Sequence, residues 1–280
     1  MKELYDSISL KSSKTVTTEY STSFSLGIKM LHKEIQDPIY AIYGLVRLAD
    51  EIVDSFHEFD KVELLKDFRK QTFEAIQHKI SLNPILNSFQ HAVNFYKIDH
   101  WLIDSFFDSM EMDLSDQHYD QKTFDKYILG SAQVVGLMCL RVFCNGDQKK
   151  YESLKPGAMS LGSAFQKVNF LRDLKADKEN LGRIYFPGMN HQEWTPALKE
   201  KIQADIKKDF VHALEAINRL PSNAKYGVYT AYRYYFKLFK KLEQASFEDL
   251  LSNRLRVPNA TKIRLLFTSK VRLSLGSSFL

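Results

Sequence analysis

The strongest constraint on the fold is where this chain is interrupted. In 280 residues there are only 11 glycines and 7 prolines, and three of those prolines follow a residue able to cap a helix: Asp37-Pro38, Asn83-Pro84 and Thr195-Pro196. An Asp, Asn or Thr oxygen accepts from the free N–H groups of a first turn, where a proline loses no hydrogen bond. Asp60 followed by Glu63 is a capping-box-like start. Between such signals apolar residues recur at three- and four-residue spacing, and alternating strand patterns are scarce. The pattern predicts helices over roughly 15–31, 38–56, 61–78, 84–97, 100–115, 123–144, 156–178, 196–219, 222–245 and 258–272. No linker rich in Pro, Gly or Ser and no fixed-period repeat divides the chain, so residues 1–280 read as one all-α domain. Gly182, Pro187, Gly188 and Asn190 break the stretch from Asn180 to Thr195, which predicts a loop suited to act as a lid.

Composition bounds the function. A content of 44% hydrophobic and 13% aromatic residues supports a sizeable core. Lys and Arg total 39 against 34 Asp and Glu, a surplus spread along the chain with no early basic stripe for nucleic acid. The C-terminus is the exception: no acidic residue follows Asp249, while Arg254, Arg256, Lys262, Arg264, Lys270 and Arg272 alternate with apolar residues. Two readings stay open there, a segment resting on an anionic membrane surface and an ordinary last helix closing the bundle. Cys139 and Cys144 lie too close on one predicted helix to bridge without strain, so a reducing compartment is expected. The start Met-Lys-Glu-Leu-Tyr-Asp has no apolar run of the secretory kind. The uncharged, largely apolar stretch Ile128 to Leu140 falls short of the ~20 residues of a membrane span. A cytoplasmic protein is expected, on the inner face of the membrane if the basic tail docks.

Between Pro38 and Ser55, a wheel at about 100° per residue places Ile39, Tyr43, Val46, Asp50, Val53 and Asp54 together, with Arg47 at the edge. Carboxylates on an inward stripe are costly to desolvate unless a cation answers them. Alone, this Asp-x-x-x-Asp fits either a polar edge paired with Arg47 or a metal site. From Pro156 onward, Gly162, Gln166, Asn169, Phe170, Asp173 and Asp177 share one face, and Asp173 and Asp177 repeat the spacing of the first pair. Carboxylates with an amide are the oxygen donors that a hard ion such as Mg²⁺ takes, its shell completed by water and phosphate oxygens. Two matching clusters on separate helices favour metal over a solvated face. Such clusters can neutralise a diphosphate and make it a leaving group without a side-chain nucleophile.

At these residues the chain resembles the squalene/phytoene synthase family, most closely its bacterial phytoene-forming members. Arg47-Leu-Ala-Asp50-Glu-Ile-Val-Asp54 resembles the first aspartate-rich motif, and Gln166-Lys-Val-Asn169-Phe-Leu-Arg172-Asp173-Leu-Lys-Ala-Asp177 the second. Gly182-Arg183-Ile184-Tyr185-Phe186-Pro187 is similar to the segment that follows it, and Tyr127-Ile-Leu-Gly-Ser-Ala-Gln-Val-Val-Gly136-Leu-Met138 to a cavity-lining helix. Gly130, Ser131, Ala132 and Gly136 also suit close helix packing. Ser23-Phe24 resembles the N-terminal Ser-Phe of the family, although Thr22 stands where a basic residue is usual.

The resemblance implies an α-helical isoprenoid synthase fold around a deep apolar cavity. It further implies a head-to-head coupling of two geranylgeranyl diphosphates through a cyclopropylcarbinyl diphosphate to phytoene, in carotenoid biosynthesis. By the same resemblance Mg²⁺, with Mn²⁺ as a substitute, is held by Asp50, Asp54, Asn169, Asp173 and Asp177, and no nicotinamide cofactor is needed. The four aspartates and Tyr127 are implied as catalytic. Ser23, Phe24, Tyr43, Arg47, Gln166, Asn169, Arg172, Tyr235 and Arg254 are implied as substrate-binding, with Tyr127 ranked ahead of Tyr43 and Tyr235 as a cavity hydroxyl and Arg183 left to a structural role. The alternatives are a farnesyl-using dehydrosqualene or squalene synthase, a terpene cyclase, whose usual second motif is not seen, and a non-catalytic assembly factor, which typically lacks some of the aspartates present here.

Overall fold

Side-chain caps start several of the helices. The computed structural model describes residues 1–115, 119–189, 195–252 and 254–274. Asn83 accepts from the backbone of Ile85 and Leu86 at the start of α5 (Pro84–Tyr96), Thr195 from Leu198 at α10 (Pro196–Arg219), and Asp60 from Glu63 at α4 (Lys61–His78). The third proline signal misleads. Helix α3 (Lys33–Asp54) begins before Asp37, and Pro38 lies inside it. Ile35 is buried with Ile39 and Ile42 on one face, and that burial, about 1.5–3 kcal/mol for each such side chain, offsets the one hydrogen bond the proline removes near the free end. Pro156 is likewise internal. Helix α9 starts at Gln148 on an Asp147 cap and runs to Leu181, 34 residues in all.

The first helix, α1 (Lys2–Tyr20), starts well before the predicted residue 15. Its inward face is Ser9, Ser13 and Thr17, each fully buried, so an apolar period is missing where the packing is tightest. Ser13 Oγ meets Ser88 Oγ of α5 at 2.6 Å, and a Cβ on Gly44 of α3 would come within 2.8 Å of Ser13 Oγ. Small polar side chains let these three helices approach closely while every hydroxyl keeps a partner. After α1 the chain turns at Ser21 into α2 (Thr22–Lys29) rather than continuing as one helix.

At the centre runs a stretch from α7 (Gln121–Ile128) through a π-helical turn (Leu129–Gln133) into α8 (Val134–Cys144), packed by α3, α6 (His100–Met112) and α9. By length and composition residues 121–144 are apolar enough to cross a membrane, but Val134, Leu137 and Met138 are fully enclosed by neighbouring helices. A Cβ on Gly130 would sit 2.4 Å from the Ser105 carbonyl oxygen, and one on Gly162 of α9 2.6 Å from that of Ala132. These two glycines let α6 and α9 close on the central helix. Cys139 and Cys144 both lie on α8 and are unbridged. Outside lie α10, α11 (Ser222–Gln244), the short α12 (Phe247–Ser252), not expected from the sequence, and α13 (Asn259–Ser274). No strand occurs among the described residues.

Candidate active site

Helices α2, α3, α8, α9, α10 and α11 enclose a cavity of about 310 Å³. Its walls are mostly aromatic and aliphatic, and Asp50, Gln166 and Asn169 also border it. Phe24 stacks on Tyr43 at 4.6 Å and Phe165 on Tyr235 at 3.9 Å, which fixes the two tyrosines predicted for the wall. Tyr127, Ser131 and Gly136 also line it, brought round by the π-helical turn, a distortion often found at functional sites. Ser23 lies on α2, but its side chain is outside the described residues, as is that of Thr22. The predicted lid falls partly outside them too: α9 persists through Asn180 to Leu181, residues 182–189 are non-helical, and Asn190 is among those not described.

On α3, burial and the neighbouring Asp54 carboxylate push Asp50 up to about 8, against the pull of Arg47. Arg47 is bonded to Glu51, stands 4.0 Å from Asp50, and lies over the Tyr20 ring at 4.4 Å, while its buried Nε has no partner. On α9, Asp173 is gripped from two sides: Arg172 Nε donates at 3.0 Å, and Arg254 donates through Nε at 2.6 Å and Nη2 at 3.2 Å. Burial raises the Asp173 carboxyl, but the two guanidiniums outweigh it and hold the group below the ordinary value. Asp177 has no such clamp. Burial, then Asp173 and Asp54, push it up to about 7, so the clusters of α3 and α9 feel one another across the mouth.

The centre of the site includes residues that the sequence reading left out. Asp113, just past α6, is almost wholly buried and accepts from Tyr127 Oη at 2.7 Å and Tyr185 Oη at 3.2 Å. Arg183 donates to Asp54 Oδ1 at 2.8 Å and to the Asp113 backbone carbonyl at 2.7 Å, which ties the segment after α9 to the first aspartate pair. Burial raises Asp113 to about 6, with Arg183 opposing. Tyr185 stacks on Phe170 at 4.0 Å and faces Tyr127 at 5.0 Å, so the Tyr127 hydroxyl is directed at Asp113 rather than left free. Asp113 carried no periodic signal, because it caps a helix end ahead of a turn. The only hint for Arg183 was its place in the segment following the second motif.

The donor set suits a hard divalent cation. All its members are oxygens, and Asn169 Oδ1 is buried without a hydrogen-bond partner, an acceptor that a cation would satisfy. The raised Asp50 and Asp177 carboxyls are crowded by like charge, which a cation relieves. Among the described residues no three His, Cys, Asp or Glu side chains close around one point.

A profile of the squalene/phytoene synthase family matches residues 17–261. The chain is 28% identical to a 4,4'-diapophytoene synthase of Staphylococcus haemolyticus, over 69% of this chain and 67% of that one. It is 26% identical to a phytoene synthase of Arthrospira platensis over 92% and 91% of the two chains, and 30% identical to a presqualene diphosphate synthase of Zymomonas mobilis over 74% and 68%. Its backbone superposes on a dehydrosqualene synthase at a TM-score of 0.81, with 19% identity over 96% of this chain and 98% of that one. A squalene synthase of Alicyclobacillus acidocaldarius gives 0.73, with 15% identity over 84% and 93%. These share the all-α isoprenoid synthase fold expected from the motifs. The chain belongs to the squalene/phytoene synthase family and is an enzyme of the prenyl-transferring kind.

Proposed function

We propose that this enzyme couples two geranylgeranyl diphosphates head to head into phytoene, with Mg²⁺ and without a nicotinamide cofactor. The observation that carries the reading is an apolar cavity bordered by Asp50, Gln166 and Asn169, together with carboxylates of α3 and α9 close enough to feel one another's charge and flanked by Arg47, Arg172 and Arg254. Asp50, Asp54, Asn169, Asp173 and Asp177 would hold the metal, which when bound supplies Lewis-acid neutralisation of the diphosphate. Arg172 and Arg254 are positioned to turn from Asp173 to phosphate oxygens, as guanidinium forks bind such groups readily. Departure of diphosphate from the first substrate leaves an allylic cation. The double bond of the second captures it, a proton is lost, and a cyclopropylcarbinyl diphosphate results. That intermediate loses its own diphosphate, rearranges, and gives up a second proton to form the product. Phe24, Tyr43, Phe165 and Tyr235 line the path and keep water from the cations.

Ala132, Val135, Ala158 and Ala231 give the cavity an apolar lining that suits isoprenoid chains. The likeness to a 4,4'-diapophytoene synthase favours a second reading, the farnesyl-using reaction. One assay separates them: purified enzyme, Mg²⁺ and either diphosphate, with and without NADPH. Phytoene from the geranylgeranyl substrate without NADPH is expected. Exclusive use of the farnesyl substrate moves the assignment to dehydrosqualene, and a need for NADPH moves it to squalene.

A further inference from the structure

The junction between the first two helices lays an aromatic ring over a cation of the site. Helix α1 ends at Tyr20, and α2 begins at Thr22. The turn between them is fixed by its own hydrogen bonds: the Ser21 N–H donates to the Thr17 carbonyl at 3.0 Å, and Ser25 Oγ lies 2.6 Å from the Ser21 carbonyl oxygen and 3.1 Å from that of Thr17. Its aromatic side chains cover one face of α3. Phe24 stacks on Tyr43, and the Tyr20 ring centroid lies 4.4 Å from the Arg47 guanidinium, one helical turn further along. Ser21, Tyr43 and Asp50 all line the cavity, so the Tyr20–Arg47 pair adjoins its wall.

Between Lys14 and Lys29 no residue is basic, so the junction brings no cation of its own. It brings a ring instead. Tyr20 is 53% exposed, which leaves its ring little part in core packing. The guanidinium beneath it is pulled toward its own helix, bonded to Glu51 through Nη2 and with Nη1 4.0 Å from Asp50. Its Nε–H is buried and has no acceptor. A buried donor without an acceptor is costly until one arrives. A stacked ring touches only the face of a guanidinium and leaves its in-plane donors free for a phosphate oxygen.

We propose that Tyr20 is a positioning residue for diphosphate binding. Its ring holds the Arg47 guanidinium against the pull of Asp50 and Glu51, so that the Nε–H is kept for an oxygen of the substrate diphosphate. Resting as it does on an isoprenyl diphosphate as substrate, this role adds a residue that acts through Arg47 rather than on the reacting atoms.

The test is titration calorimetry of the full chain with inorganic diphosphate and Mg²⁺, beside steady-state kinetics with geranylgeranyl diphosphate. Tyr20→Phe and Tyr20→Trp keep a ring and are expected to bind diphosphate within about twofold of wild type. Tyr20→Leu should weaken binding about fivefold and raise KM by a like factor, with kcat little changed. Across Tyr20→Phe proteins carrying successively more ring fluorines, which drain charge from the ring face, affinity should fall stepwise. A role in packing alone would not follow that series. Thermal melts near wild type are expected throughout, because the ring is half exposed. Equal affinity of Tyr20→Leu and wild type overturns the proposal, as does a flat response to fluorination. A loss in Tyr20→Phe as large as in Tyr20→Leu gives the contact to the Tyr20 hydroxyl and overturns it too. A wild-type chain that binds no diphosphate brings down the substrate reading and the proposal together, whereas wild-type binding that Tyr20→Leu matches brings down the proposal alone.

Discussion

Asp113→Asn gives the sharpest test of the site's electrostatics in the metal-free enzyme. The Asp113 side chain is only 4% exposed, and its carboxyl is raised from the ordinary 3.8 to about 6, burial outweighing Arg183 and Tyr127. A carboxyl raised in the folded state binds its proton more tightly there than in the unfolded chain. Its stabilising contribution is therefore complete below pH 3.8 and is lost as pH rises through about 6. The gap between the two values corresponds to roughly 3 kcal/mol, of which about 2–3 kcal/mol falls between pH 4 and 7.5. The asparagine keeps an acceptor for Tyr127 or Tyr185 and never ionises, so it lacks this loss. Urea unfolding followed by helical CD, in a chelator, should show the stability of the variant relative to wild type rising by about 2–3 kcal/mol from pH 4 to 7.5. Subtracting the curves removes the parallel contributions of Asp50 and Asp177, apart from their coupling to Asp113. Parallel profiles for the two proteins would refute a buried, charge-strained carboxyl at this position.

Asp50→Asn and Asp173→Asn are each expected to lower turnover by at least about a hundredfold with the CD spectrum intact, because each removes a proposed metal oxygen at the cavity mouth. A chelator should abolish wild-type activity, and Mg²⁺ or Mn²⁺ should restore it; activity that survives metal removal contradicts the proposed ligand set. Tyr127→Phe deletes the 2.7 Å bond to Asp113 and is expected to cost about 1.5–3 kcal/mol in denaturant unfolding above pH 7, where that carboxyl is ionised. Gly162→Ala puts a Cβ 2.6 Å from the Ala132 carbonyl oxygen, so α9 must move from the central helix, at about 1–3 kcal/mol in the same assay.

What could be read in the sequence was local in origin. Helix starts at Asn83, Asp60 and Thr195 rest on a side chain and its own next turn, so they hold whatever surrounds them. The inward placement of Asp50 and the grouping of Gln166, Asn169 and Asp173 follow from helical period alone, and the motifs carried by those helices led to the family. Where burial is shared between helices, local signals failed: Pro38 and Pro156 lie inside helices because packing of their neighbours outweighs one lost hydrogen bond, and α1 buries serines that no apolar pattern reveals. The charge balance at the mouth was likewise a matter of tertiary structure. Asp113 and Arg183 stand 70 residues apart in sequence and meet at the first aspartate pair, and Arg254 reaches Asp173 across 81 residues. A period of 3.6 says which way a side chain points from its own helix, but which charge it meets depends on the three-dimensional approach of segments far apart along the chain.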